Sequence, residues 1–88
     1  INSFVFEDFK VYPNPSNGIF NVQFTSKNTS DVEITIFDLL GRKVSHKTFK
    51  TSNISFNETL NIGRVSSGIY ILQVKRGNEA SSQKLQIR

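Results

Sequence analysis

Apolar residues recur at every second position through most of the chain. Phe20, Val22 and Phe24 alternate with Asn21 and Gln23, and Val32, Ile34 and Ile36 alternate with Glu33 and Thr35. Tyr70, Leu72 and Val74 alternate with Ile71, Gln73 and Lys75, and Leu85 and Ile87 alternate with Lys84, Gln86 and Arg88. Alternation of this kind places apolar side chains on one face of a pleated strand. No window carries helical spacing with helix formers, and Ala occurs once, at Ala80. The pattern predicts seven strands: Lys10–Tyr12, Ile19–Thr25, Val32–Phe37, Lys43–Phe49, Ile54–Leu60, Ile69–Arg76 and Ser81–Arg88. Short strands at this spacing predict an all-β chain, an antiparallel sandwich or a small barrel.

Turn chemistry separates the strands. Asn14-Pro15-Ser16-Asn17-Gly18 offers Pro for a fixed φ and Gly for a reversal. In Asp38-Leu39-Leu40-Gly41 the Asp38 carboxylate is placed to accept turn N–H groups, with Gly41 in the left-handed position. Ser66-Ser67-Gly68 marks another reversal, and Gly77-Asn78 predicts a two-residue hairpin. Ile1 to Phe9 lacks clean alternation and reads as a linker or leading segment before a domain spanning residues 10 to 88.

Composition narrows the function classes. The 88 residues allow one domain, and surface scaling gives a folded area of roughly 5,200 Å². There is no Cys, which removes disulfide, zinc-thiolate and thiol chemistry, and no Met, which reads as a piece or processed product of a longer polypeptide. The longest apolar run, Ile69 to Leu72, is too short to span a bilayer. The net charge of +4 includes two basic clusters, Arg42-Lys43 with Lys47 and Lys50, and Lys75-Arg76, which read as solvated faces. Neither a basic stripe interleaved with aromatics nor an RNP-like motif is present, so nucleic acid is not an expected partner.

Catalytic candidates are few. His46 is the single His; it shares a strand face with Val44, and reads as a structural or rim residue at a core edge. Asp31 and Glu33 share one strand face, but seven scattered acids do not make a calcium loop. No Gly-x-Ser-x-Gly elbow and no Gly-rich phosphate loop occurs. No cofactor, metal or catalytic set is therefore expected. Phe37 and Phe49 break the local inward register and are candidates for sugar stacking, or for covering a sheet edge.

Four segments, in order, carry a family likeness. Val11-Tyr12-Pro13-Asn14-Pro15 followed by Gly18 resembles the Y-P-N-P-x-x-G opening of the type A C-terminal sorting domains of the type IX secretion system of Bacteroidota. Asp38, Gly41, Arg42 and Val44 match that family's D-x-x-G-R-x-V hairpin. Val65 to Val74, with Gly68 and Tyr70, resembles its L-x-x-G-x-Y-x-L-x-V segment, with Val65 where Leu is more usual. Lys84, Leu85, Ile87 and Arg88 resemble its closing strand.

The resemblance implies an immunoglobulin-like β-sandwich and a non-enzymatic address label. It implies fusion to an N-terminal cargo, transit through the periplasm and passage across the outer membrane by the translocon with its shuttle and sortase-like proteins. It implies that a sortase-like enzyme then usually removes the label at the linker before it. The final strand, with Lys84 and Arg88, is the expected recognition edge, by strand addition. The alternative function is an Ig-like carbohydrate- or surface-binding module of a secreted enzyme.

Overall fold

The computed structural model describes residues 6–88. Seven antiparallel strands make two sheets: β1 (Glu7–Tyr12), β2 (Ile19–Thr25), β3 (Val32–Asp38), β4 (Lys43–Phe49), β5 (Ser55–Asn61), β6 (Gly68–Arg76) and β7 (Glu79–Ile87). The sheets have orders β1-β2-β5 and β4-β3-β6-β7. Every predicted strand is present, with ends differing by at most a few residues. The fold is a β-sandwich. β4 stays in the sheet of β3, because the short Asp38–Arg42 turn returns the chain beside β3.

Period-two patterning fills the space between the sheets. Phe20, Val22, Phe24, Phe56 and Leu60 come from one sheet; Val32, Ile34, Ile36, Leu72, Val74, Leu85 and Ile87 come from the other, and all are buried. The accessible area is 5411 Å², close to the value expected for a folded chain of this mass.

Several sequence expectations are corrected. The leading segment divides: residues 1–5 lie outside the described residues, whereas Phe6 is buried in the core and Glu7 to Phe9 belong to β1. A register shift follows Glu7, and Asp8 takes a φ of 55° there, so the strand continues past a bulge that hides its alternation. Phe6 stacks on Phe24 at 4.4 Å and Phe24 on Phe56 at 4.9 Å, with Phe49 edge-on to Phe56 at 5.2 Å. Phe49 thus packs against the core and is not a free stacking platform. Phe37 is half-buried on the outer face, with Lys43 and Ile71 as its cross-strand neighbours.

His46 does not line a core edge: it points to the outer face. Ser45, Lys47 and Phe49 pair with the core residues Ile36, Ile34 and Val32, so the residues between them point outward. Val44 is the extra residue between the Phe37–Lys43 and Ile36–Ser45 pairs and is exposed; the exposed His46 ring places Nδ1 2.8 Å from Thr35 Oγ1. Asp31 lies just before β3, so it does not share a strand face with Glu33.

Arg76 is the largest correction. The sequence places it in a basic cluster that reads as a solvated face, yet its side chain is fully buried. Parity explains the placement: Arg76 continues the inward series Tyr70, Leu72, Val74. Its Nε donates to the Ser30 carbonyl at 2.6 Å, and Nη2 donates to the carbonyls of Thr51 and Asn53 at 3.2 and 2.6 Å. One guanidinium therefore ties together the β2–β3 and β4–β5 loops.

Candidate functional site: the basic end of the sandwich

Strand direction brings the four sequence segments to one end. β1 ends and β2 begins around the 13–18 loop, β3 ends and β4 begins around the 39–42 turn, β6 begins at Gly68, and β7 ends at Ile87. The opposite end carries the β2–β3 and β4–β5 loops, the Gly77-Asn78 turn and the start of β1.

The 13–18 loop is sewn to the last strand. Asn14 Nδ2 donates to the Lys84 carbonyl at 3.0 Å, and Asn14 Oδ1 accepts from Gln86 N–H at 3.0 Å. Ser16 N–H donates to the Gln86 carbonyl at 2.8 Å, and Arg88 N–H donates to the Ser16 carbonyl at 2.9 Å. The Tyr12–Pro13 and Asn14–Pro15 peptides are both cis. Ser16 itself is buried; its hydroxyl donates to the Ile19 carbonyl and accepts from Gly18 N–H, each at 3.0 Å. Sequence reading passed over Ser16, because it occupies a variable position of the Y-P-N-P-x-x-G segment. Gly18 takes a φ of 110°, and a Cβ there would sit 2.8 Å from the Gly63 carbonyl oxygen. Tyr12 accepts from Asn21 Nδ2 at 2.9 Å and donates to Gln23 at 3.2 Å on the outer face of β2.

Asp38 organises the second turn. Its Oδ1 accepts from the N–H groups of Leu40 and Arg42, both at 2.9 Å, and Oδ2 receives Arg42 Nε at 2.8 Å. Gly41 takes a φ of 84° and donates its N–H to the Asp38 carbonyl at 3.0 Å. The Arg42 N–H bond chiefly lowers the Asp38 pKa below 3.8; burial opposes this, and the guanidinium and Leu40 N–H reinforce it. The turn leaves Leu39 and Leu40 exposed at its tip.

The third and fourth segments complete the end. Tyr70 is buried, and its hydroxyl donates to the Ser66 carbonyl at 2.6 Å. A Tyr near the start of the sixth strand bonded to upstream backbone is the tyrosine corner of immunoglobulin-like sandwiches. Gly68 pairs with Ile87 and Tyr70 with Leu85. Leu85 and Ile87 are core residues, whereas Lys84 and Arg88 face solvent. The end thus displays Arg42, Lys43, Arg64, Lys84 and Arg88, with Asp38 as its acid.

Among the described residues, no cluster of three His, Asp or Glu is placed to hold a metal ion. No helix among them is long and apolar enough to cross a membrane. An open cleft of about 410 Å³ lies at the opposite end, between Glu7, Thr25, Ser26, Lys27, Ile54 and Glu79.

A search of curated proteins finds no match. The family model described as the secretion system C-terminal sorting domain matches residues 10–88, the span that contains all four segments. The chain belongs to the family of C-terminal sorting domains of the type IX secretion system.

Proposed function

We propose that this domain is a non-catalytic sorting label that sends an attached cargo across the outer membrane through the type IX machinery. The observation that carries the reading is the family match over residues 10–88. The geometry supports it: Tyr12 to Gly18, Asp38 to Val44, Gly68 to Tyr70 and Lys84 to Arg88 stand at one end of the sandwich. β1 starts at the opposite end. A cargo fused there leaves the basic end free to meet a translocon or shuttle protein. In this reading the cargo passes through the periplasm and reaches the cell surface or medium, where a sortase-like enzyme removes the label ahead of the sandwich.

Recognition falls on side chains that the fold leaves outward, chiefly Leu39, Leu40, Arg42, Lys84 and Arg88. Gly18, Asp38, Gly41, Tyr70, Leu85 and Ile87 act by building the end. Strand addition along the last strand from Lys84 to Arg88 is not favoured, since Asn14 and Ser16 already occupy that edge.

The test is a periplasmic reporter fused ahead of residues 6 to 88 in a type IX-competent strain. Surface or medium localisation is expected, abolished in a translocon-deficient strain. A reporter that stays in the periplasm of the competent strain overturns the reading. The glycan-binding alternative gains no support from Phe49, which is packed into the aromatic cluster.

A further inference from the structure

Among the described residues the sandwich has four edge strands, and they differ. β7 is closed from Lys84 onward by Asn14 and Ser16. β1 is broken by the bulge at Asp8 and carries Glu7 and Asp8. β5 carries Glu58 and no cation. β4 and β5 are each seven residues long, mostly exposed and, among the described residues, bordered by a strand on one side only, so charge is what separates them.

β4 is also the basic edge. No Asp or Glu occurs between Asp38 and Glu58, while Lys43, Lys47 and Lys50 lie on or beside β4. The bulge puts Lys43 on the outer face with Phe37, whereas Lys47 pairs with Ile34 on the inner side. An added strand would therefore meet a cation on each of its faces. The Asp38 N–H bond to the Arg42 carbonyl starts the β3–β4 ladder on even positions of β3. Alternation then turns the backbone groups of His46 and Thr48 away from β3, toward the open side.

From this combination we propose that β4 is a docking edge for an acidic, extended polypeptide segment of a partner protein, added as a fifth strand of the β4-β3-β6-β7 sheet. Backbone pairing selects a polypeptide, because only a peptide chain presents alternating N–H and C=O groups at strand spacing. The lysines select for acidic residues and repel a second β4 edge, which explains how an open strand of this length avoids self-pairing. The surface belongs to the domain whether or not it is a sorting label.

The test uses the full chain and a capped seven-residue peptide alternating Glu with Val and Thr. Titration followed by amide exchange is expected to protect His46 and Thr48. Binding is expected to weaken by about tenfold or more in high salt and in the Lys43→Glu/Lys47→Glu variant. N-methylating the peptide amides that face β4 is expected to abolish binding, with no change to the protein. Thr48→Pro, at an outward position of an edge strand, is expected to do the same while keeping the melting curve. No binding, protection confined to β5 or β7, or equal affinity for the N-methylated peptide overturns the proposal. Any of those results leaves the export assay above unaffected.

Discussion

Asn14 and Lys84 stand 70 positions apart, yet the Asn14 side-chain amide donates to the Lys84 carbonyl at 3.0 Å. The same side chain accepts from Gln86 N–H, so one amide meets the last strand as a neighbouring strand would. Replacing it should open the edge without unfolding the core. Asn14→Ala is expected to lower unfolding stability by about 0.5–1.5 kcal/mol. Hydrogen exchange should quicken at Gln86 in that variant, while core amides of β3 keep their relative protection.

Gly18 and Gly63 provide a matched pair. Both have positive φ, but only Gly18 has backbone where a Cβ would go, the Gly63 carbonyl oxygen at 2.8 Å. Gly18→Ala is expected to cost about 2–3 kcal/mol, from strain and contact together. Gly63→Ala, with open space around it, is expected to cost about 1 kcal/mol. Equal urea midpoints for the two variants would contradict the close approach.

Tyr70→Phe removes only the hydroxyl that reaches the Ser66 carbonyl. The ring remains in the core, so the loss should be about 1 kcal/mol. Chemical denaturation measures it, and a reporter fusion should still be exported if Tyr70 serves the fold alone.

Arg76 donates to three backbone carbonyls from two loops. Arg76→Met fills the space but leaves those carbonyls without their donor. A destabilisation of about 3 kcal/mol or more is expected. Arg76→Lys should rescue only partly, since one ammonium cannot reproduce the planar fork.

Asp38 gives the acid response a sign. Its pKa is lowered in the folded chain from 3.8, so its stabilising contribution is present above that value. It is lost as pH falls through the lower folded value. Stability measured across this acid range should fall less steeply in Asp38→Asn than in the parent chain.

The seven strands were legible because period-two alternation is a local property, and Phe20-Val22-Phe24 states it without help from the rest of the chain. The Asp38–Gly41 turn was legible for the same reason, since its bonds span at most four residues. β1 was cut short because the bulge at Asp8 breaks the period. Arg76 was misread because its charge outweighed its parity. The carbonyls that make an inward guanidinium tolerable come from Ser30, Thr51 and Asn53, far away in sequence.

By itself the sequence determined the period-two alternation of most strands, where the turns fall and which family the motifs resemble. Each of these follows from residues within a few positions of one another. Tertiary structure alone decided that the motifs share one end, that Asn14 and Ser16 close the last strand's edge, and that β4, among the described residues, has β3 as its one strand neighbour. Those outcomes depend on which strands become neighbours. That choice is set by burying both sheets' apolar faces together, and no local pattern encodes it.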